Sequence, residues 1–250
     1  ICLKQNYFWI KIMKKISRFA VEQYLGCKRC FVLSYKHNLK LRSLPFTLNS
    51  AVDNLCKNEF DIYRYKEEPH PIFLEHNIDA VPYKHDDIDK WRNNRQGIAF
   101  LNKEKGYHFH GAVDDVWKNS EGKLIIADVK TTSKKEFNWD KTWQDYEYPK
   151  GYKRQLEMYQ WLFRKNGFEV SDTAYILYYN GLKNEPRFDR ILKFEQHIVK
   201  LECNDSWVED KVIEAVETLQ SEEMPIGSKY CDTCQYLKKR WHVNQTLTVN

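Results

Sequence analysis

Two periodicities share this chain. Between residues 97 and 131 apolar and polar side chains alternate, and turn-forming runs interrupt them at Lys103-Glu104-Lys105-Gly106 and Ser120-Glu121-Gly122. That pattern predicts three strands in succession, over residues 97–101, 107–117 and 123–131. Elsewhere the apolar spacing lengthens to three and four. Phe19, Val21, Tyr24 and Leu25 predict a short helix over 16–25. Val52, Leu55, Cys56, Phe60 and Tyr63 predict another after Pro45, capped by Asn49 or Ser50 and ending near residue 65. A helix over 151–165 stops at Asn166-Gly167. One over 206–219 takes Ser206 as N-cap, with Trp207, Val212, Ala215, Val216 and Leu219 along its inner stripe. Residues 173–179 and 190–201 read as strands. The Pro-bearing region 67–95 reads as loop with a short helix near 86–93, and 134–150 as a polar, aromatic connection. The order helix, three strands, helix, strand gives an α/β core with mixed pairing.

The length of 250 residues suits one domain with appendages. We place that domain at 16–240 and read 1–15 as an extension, Met13-Lys14-Lys15 being a more natural beginning than Ile1. No apolar run approaches the roughly 20 residues that cross a bilayer, and the first ten residues are too polar for a secretory signal. A cytoplasmic protein is expected. The net charge of +5 is unevenly spread: residues 1–42 hold ten Lys or Arg against Glu22 alone. The remainder is therefore net acidic. Such asymmetry fits an anionic partner at the N-terminal end, although a solvated basic tail would look the same.

Candidate chemistry centres on Gly111-Ala112-Val113-Asp114 and Asp128-Val129-Lys130. A three-residue turn with Gly122 left-handed pairs Asn119 with Lys123 and sets Asp114 directly opposite Asp128. Lys130 then shares their face through the two-residue period of a strand. A two-residue turn would instead bring Asp115 onto that face. Opposed carboxylates repel unless a cation lies between them, and Mg²⁺ is bound in this manner, through one or two carboxylates plus phosphate oxygens. The Val129 carbonyl is a further candidate ligand. Asp128 also lies within Leu124-Ile125-Ile126-Ala127-Asp128-Val129, an apolar run in which a lone acid needs a partner. On the helix over 151–165, Gln155 and Tyr159 stand one turn apart on one face.

Taken in order, G-x-x-D, D-x-K and Q-x-x-x-Y resemble the signature of the PD-(D/E)XK nuclease superfamily, in particular its RecB-like branch. That branch includes the CRISPR-associated adaptation nuclease, exonuclease V and AddB-type nucleases. The likeness runs from about Ser17 to Cys234 and includes the entry Gly26-Cys27-Lys28-Arg29-Cys30-Phe31-Val32-Leu33. It implies a restriction-endonuclease-like α/β core with a central mixed sheet flanked by helices. It further implies Asp114 and Asp128 as ligands of Mg²⁺ or Mn²⁺, Lys130 as catalytic lysine, and Gln155 and Tyr159 in support. Relatives often carry His or Glu on the preceding helix, where this chain has Asp53. Asp53 reads equally as a metal ligand or as an acid of an early helical turn.

The seven cysteines include two C-x-x-C pairs, Cys27/Cys30 and Cys231/Cys234. Four thiolates suit structural Zn²⁺ or a [4Fe–4S] cluster that would clasp the termini, with Lys28, Arg29, Lys238, Lys239 and Arg240 along a nucleic-acid path. Relatives with a cluster typically divide their cysteines one and three, whereas this chain divides them two and two. Cys2, Cys56 and Cys203 read as incidental thiols. The expected function is metal-dependent hydrolysis of DNA, on ends or single strands, in repair, recombination or defence. The rivals are an inactive nucleic-acid-binding module of the same fold and a zinc-clasped protein-interaction domain.

Overall fold

The computed structural model describes residues 13–40 and 46–247. In chain order the elements are β1 (Lys14–Ser17), α1 (Arg18–Gly26), α2 (Lys28–Tyr35), α3 (Thr47–Lys66), α4 (Pro71–Glu75), β2 (Val81–Pro82), α5 (Ile88–Trp91), β3 (Ile98–Asn102), β4 (Tyr107–Gly111), β5 (Asp115–Lys118), β6 (Leu124–Thr132), α6 (Trp139–Asp145), α7 (Tyr148–Lys165), β7 (Thr173–Gly181), β8 (Phe194–Glu202), α8 (Val208–Gln220) and α9 (Asp232–Leu247). They form an α/β fold with a five-stranded sheet, ordered β2-β5-β6-β7-β8, and a three-stranded sheet, ordered β1-β4-β3. In the larger sheet only β6 and β7 run parallel.

The continuous strand expected over 107–117 is divided between these sheets. Its strand pairing breaks at Ala112–Asp114, where the Val113 N–H bonds to the Trp91 carbonyl at 3.1 Å instead of a strand neighbour. As a result Phe109 and Val116 enter one core while Trp117 enters the other. The sequence pattern shows no such break, because Tyr107, Phe109, Val113, Asp115 and Trp117 keep one parity. Beyond the break, β5 and β6 pair Asp115 with Ala127 and Lys118 with Leu124. Gly122 adopts φ +84° in the three-residue turn. This is the register that sets Asp114, not Asp115, opposite Asp128.

Each face of the larger sheet carries a core. On one face α7 brings Leu156, Met158 and Tyr159 against Val116 and Ile126, joined by residues of α1, α2, α8 and the smaller sheet. On the other, Phe60 of α3 and Phe73 of α4 cover Trp117, Ile125 and Ala127. A buried ion pair fixes α3 in place: Arg64 donates to Asp115, to the Tyr83 carbonyl at 2.6 Å and to the Val116 carbonyl at 3.2 Å. The Asp115 carboxylate also accepts from Val116 N at 2.8 Å and Trp117 Nε1 at 3.2 Å. Every oxygen of Asp115 is therefore engaged away from the Asp114 face. Breaking such a pair costs about 3–5 kcal/mol, so Arg64 holds the rotation of α3 about its axis. Asp53, Lys57, Phe60 and Arg64 recur at helical spacing and share one stripe.

Several boundaries differ from the sequence reading. Lys14 and Lys15, placed in the extension, belong to β1, which pairs in parallel with β4; the rest of that extension through residue 12, with Cys2, lies outside the described residues, as does Pro45. Neither Asn49 nor Ser50 caps α3, which begins at Thr47 after Phe46, and Ser206 does not cap α8, whose N-cap is Trp207. Phe19 and Leu55 point outward, 63% and 67% exposed. The region 67–95 holds α4 and β2 besides the expected short helix, and α6 occupies part of the connection over 134–150. Around the cysteines, α2 bunches its apolar residues into one short run and α9 has them too sparse, so neither gives a clear period.

Candidate active site

The site opens where β4 and β5 part company, between α7 on one face of the sheet and the N-terminal half of α3 on the other. Asp128 is only 1% exposed, in the middle of β6. Its Oδ1 accepts from Gln155 Nε2 at 2.6 Å, and its Oδ2 accepts from Lys130 Nζ. Gln155 Nε2 also donates to Tyr159 Oη at 3.2 Å. Asp114 Oδ2 accepts from the Val129 amide at 2.9 Å, which locks its carboxylate against β6. The Val129 carbonyl, 3.4 Å from Lys130 Nζ, faces the same group. The structure thus brings together Asp114, Asp128, Val129, Lys130, Gln155 and Tyr159.

Asp53 joins them from α3. It lies in the second turn of that helix, past the first turn where the dipole favours an acid, because α3 starts earlier than its sequence suggests. Its Oδ2 accepts from Lys57 Nζ at 2.7 Å, and that ammonium stands 3.9 Å from Asp114 Oδ1. Asp53 Oδ1 is buried with no hydrogen-bond partner among the described residues. An orphaned carboxylate oxygen beside a second acid is the donor set a hard divalent cation takes. Asp53, Asp114, Asp128 and the Val129 carbonyl therefore fit Mg²⁺ or Mn²⁺, with Lys57 now supplying positive charge between two of the acids.

The electrostatics follow from burial. Burial pushes the Asp128 carboxyl well above the usual carboxylate range; Lys130 pulls it down and Asp114 pushes it further up. For Lys130, burial disfavours the charge, but Asp128 and Asp114 outweigh it and hold the ammonium above the ordinary lysine value. Asp53 is raised by burial and by Asp114, against the pull of Lys57. Burial likewise raises Tyr159.

Gly111 has a packing role here. A Cβ on it would lie 2.7 Å from Tyr159 Cε1 and 3.3 Å from Arg18 Cβ. The glycine of G-x-x-D lets α7 and α1 close on the strand end.

Three residues escaped the sequence reading. Arg18, at the start of α1, stands beside Tyr159 and forms no ion pair among the described residues. Lys57 bridges two acids, and its position four residues after Asp53 was a legible signal. Tyr152 places its ring 4.9 Å from Lys130 Nζ. Arg18 and Tyr152 carry no signal of this kind, because tertiary packing alone sets them there.

The second cluster clasps the termini. Cys27 and Cys30, at the corner between α1 and α2, meet Cys231 and Cys234 at the start of α9. Sulfur separations are 3.7 Å for Cys27–Cys234 and 3.5 Å for Cys30–Cys231 and Cys30–Cys234. Among the described residues this is the only set of three or more Cys, His, Asp or Glu with all ligand atoms within 4.8 Å of one another; the three acids of the first site stand wider. Lys28 lies over the Tyr24 ring, and Lys239 and Arg240 are exposed. Arg29 and Lys238 line a groove of about 570 Å³ that also contains Trp241. The nine residues of α1, at about 1.5 Å each, put this clasp roughly 13 Å from Arg18. Cys56 and Cys203 are buried and separate.

A family model of the PD-(D/E)XK nuclease superfamily matches residues 61–238, and the chain belongs to that superfamily. The match contains Asp114, Asp128, Lys130, Gln155, Tyr159, Cys231 and Cys234, and begins after Asp53 and the first cysteine pair. Among solved structures, a candidate exonuclease from Eubacterium rectale is similar at 13% identity and a TM-score of 0.42, covering 94% of this chain and 93% of its own. The protein designated SSO0001 is similar at 15% identity and a TM-score of 0.37, covering 90% and 82%. A search of curated proteins finds no match. No helix among the described residues is long and apolar enough to cross a membrane.

The close approach at Gly111 yields a direct expectation. Gly111→Ala forces the Tyr159 ring out of its seat, lowering stability in urea unfolding by about 1–3 kcal/mol, the usual cost of overpacking. An unchanged midpoint would mean that the site relaxes freely at this contact.

Proposed function

We propose that this chain is a RecB-like deoxyribonuclease that uses Mg²⁺ or Mn²⁺ to hydrolyse DNA phosphodiesters in repair, recombination or defence, within the cytoplasm. One observation carries the reading: a fully buried Asp128 holds Lys130 and Gln155 and faces Asp114, which Lys57 links to Asp53, and one Asp53 oxygen has no partner among the described residues. A purely structural ion pair would need neither the second acid nor the third.

In hydrolysis, water attacks phosphorus, the bond from phosphorus to the leaving oxygen breaks, and that oxygen takes up a proton. A divalent cation held by Asp53, Asp114, Asp128 and the Val129 carbonyl would supply Lewis-acid stabilisation of the phosphate and a more acidic attacking water. The protein groups do the rest. Lys130, kept as an ammonium by two carboxylates, offsets negative charge as it builds on the phosphate. Gln155 fixes the Asp128 carboxylate, and Tyr159 fixes Gln155. Arg18, at the start of α1 beside Tyr159, can hold a phosphate of the substrate strand.

For the clasp, the sulfur spacing favours zinc. Four thiolates about 2.3 Å from one tetrahedral ion stand about 3.8 Å apart, close to the spacing found here, whereas a four-iron cluster seats its thiolates on separate irons and spreads them farther. The clasp then ties the basic N-terminal segment to α9 and holds α1 against the active site.

Both parts of this reading can be tested. In a Mg²⁺ or Mn²⁺ cleavage assay on DNA, Asp128→Ala and Lys130→Ala each lower the rate by about 100-fold or more, the scale for losing a positioned charge; equal rates in all three proteins would rule out this site. Metal analysis of the purified protein gives about one zinc per four clasp cysteines and no visible absorption. Iron with inorganic sulfide and a brown colour would overturn the zinc assignment.

A further inference from the structure

The corner between α6 and α7 carries rings that the site above leaves unused. Tyr146 and Tyr148 are 51% and 37% exposed. Their centroids lie 5.4 Å apart at 40°, and Tyr148 meets Tyr152 at 5.5 Å and 63°. Tyr152 in turn lies under Lys130, 4.9 Å from its Nζ. The three rings make a ladder from solvent to the proposed catalytic lysine. Lys134 Nζ sits above it, 5.0 Å from Tyr146 and 5.7 Å from Tyr148. That lysine is held at 2.8 Å by the neutral hydroxyl of Thr142, and its amide donates to Asn180 Oδ1 at 2.7 Å. It pairs with no carboxylate among the described residues. Glu147, between the two tyrosines, is balanced by Lys150 at 2.7 Å and Arg154 at 3.8 Å. Asp145 subtracts one charge at the outer edge.

We propose that Tyr146 and Tyr148, with Lys134, form a stacking platform for the single-stranded segment of a DNA substrate, leading its backbone to Lys130. The inference rests on the nuclease reading and specifies which form of DNA the site accepts. Exposed rings beside an unpaired cation suit a ligand that alternates flat aromatic faces with negative charge, which a nucleotide chain does. The need for a free base face selects the strand state. Bases inside a duplex are stacked on one another and present no face to a tyrosine. Stacking carries little base preference, so the platform reads single-strandedness and not sequence.

The test is fluorescence anisotropy in buffer without Mg²⁺ or Mn²⁺, which withholds the metal for turnover and leaves the clasp intact, using a labelled 12-mer of deoxythymidine and a duplex of the same length. The proteins are wild type, Tyr146→Ala/Tyr148→Ala and Tyr146→Phe/Tyr148→Phe, each checked for folding by circular dichroism. The alanine variant binds the single strand about tenfold or more weakly, the phenylalanine variant stays close to wild type, and duplex affinity is the same in all three. Wild-type-like binding of the single strand by the alanine variant overturns the platform alone. So does an equal loss for single strand and duplex. Wild type that binds neither DNA overturns the platform together with the nuclease reading.

Discussion

A carboxylate sealed inside an apolar strand governs the architecture of this site. Asp128 follows Ile126 and Ala127, both fully buried, and reaches almost no solvent. Leaving such a group ionised without partners would cost several kcal/mol. Lys130 and Gln155 satisfy it, and each is placed by a different element, β6 and α7. The constraint then propagates. Gln155 requires Tyr159 one turn on, Tyr159 requires the bare Gly111 backbone, and Gly111 marks the point where the chain leaves one sheet for the other. The departure of β4 from the larger sheet is what exposes Asp114 at the edge of the opening.

The two acids at the mouth arrive by independent routes. Asp114 comes from the divided strand. Asp53 comes from α3, whose orientation is set eleven residues away by Arg64 and its buried partner Asp115. Neighbouring aspartates thus take opposite tasks: Asp115 anchors a helix in one core, while Asp114 faces the other side of the sheet. On the far side α1 links Arg18 to the cysteine clasp, so the termini and the site belong to one mechanical unit.

Much of this was legible in residue order. The position of Gly122 gave the hairpin register, and the register alone decided between Asp114 and Asp115. The helix bearing Gln155 and Tyr159 was legible from its amphipathic spacing, and the pairing of distant cysteines from their C-x-x-C form. What stayed hidden depends on tertiary context. A strand that changes sheets without changing its alternation leaves no mark at Ala112 or Val113. Helix α9 gathers around a cysteine cluster more than around an apolar stripe, α2 crowds its core residues into one run without a period, and β1 is too short for a pattern to emerge. Arg18 and Tyr152 become interesting only once the fold sets them beside Tyr159 and Lys130.

The proposed function stands on three acids from three separate segments, Asp53 on α3, Asp114 between β4 and β5, and Asp128 on β6, sharing one divalent ion. A titration with Mn²⁺ of protein dialysed free of Mg²⁺ and Mn²⁺, its clasp metal retained, followed by loss of the free-ion electron paramagnetic resonance signal, measures this without any cleavage. Wild type should remove Mn²⁺ from solution, and Asp53→Asn, Asp114→Asn and Asp128→Asn should each weaken binding by about tenfold or more, at least the loss seen for residues that only orient a ligand. Equal binding by all four proteins, or none by wild type, would contradict the shared site.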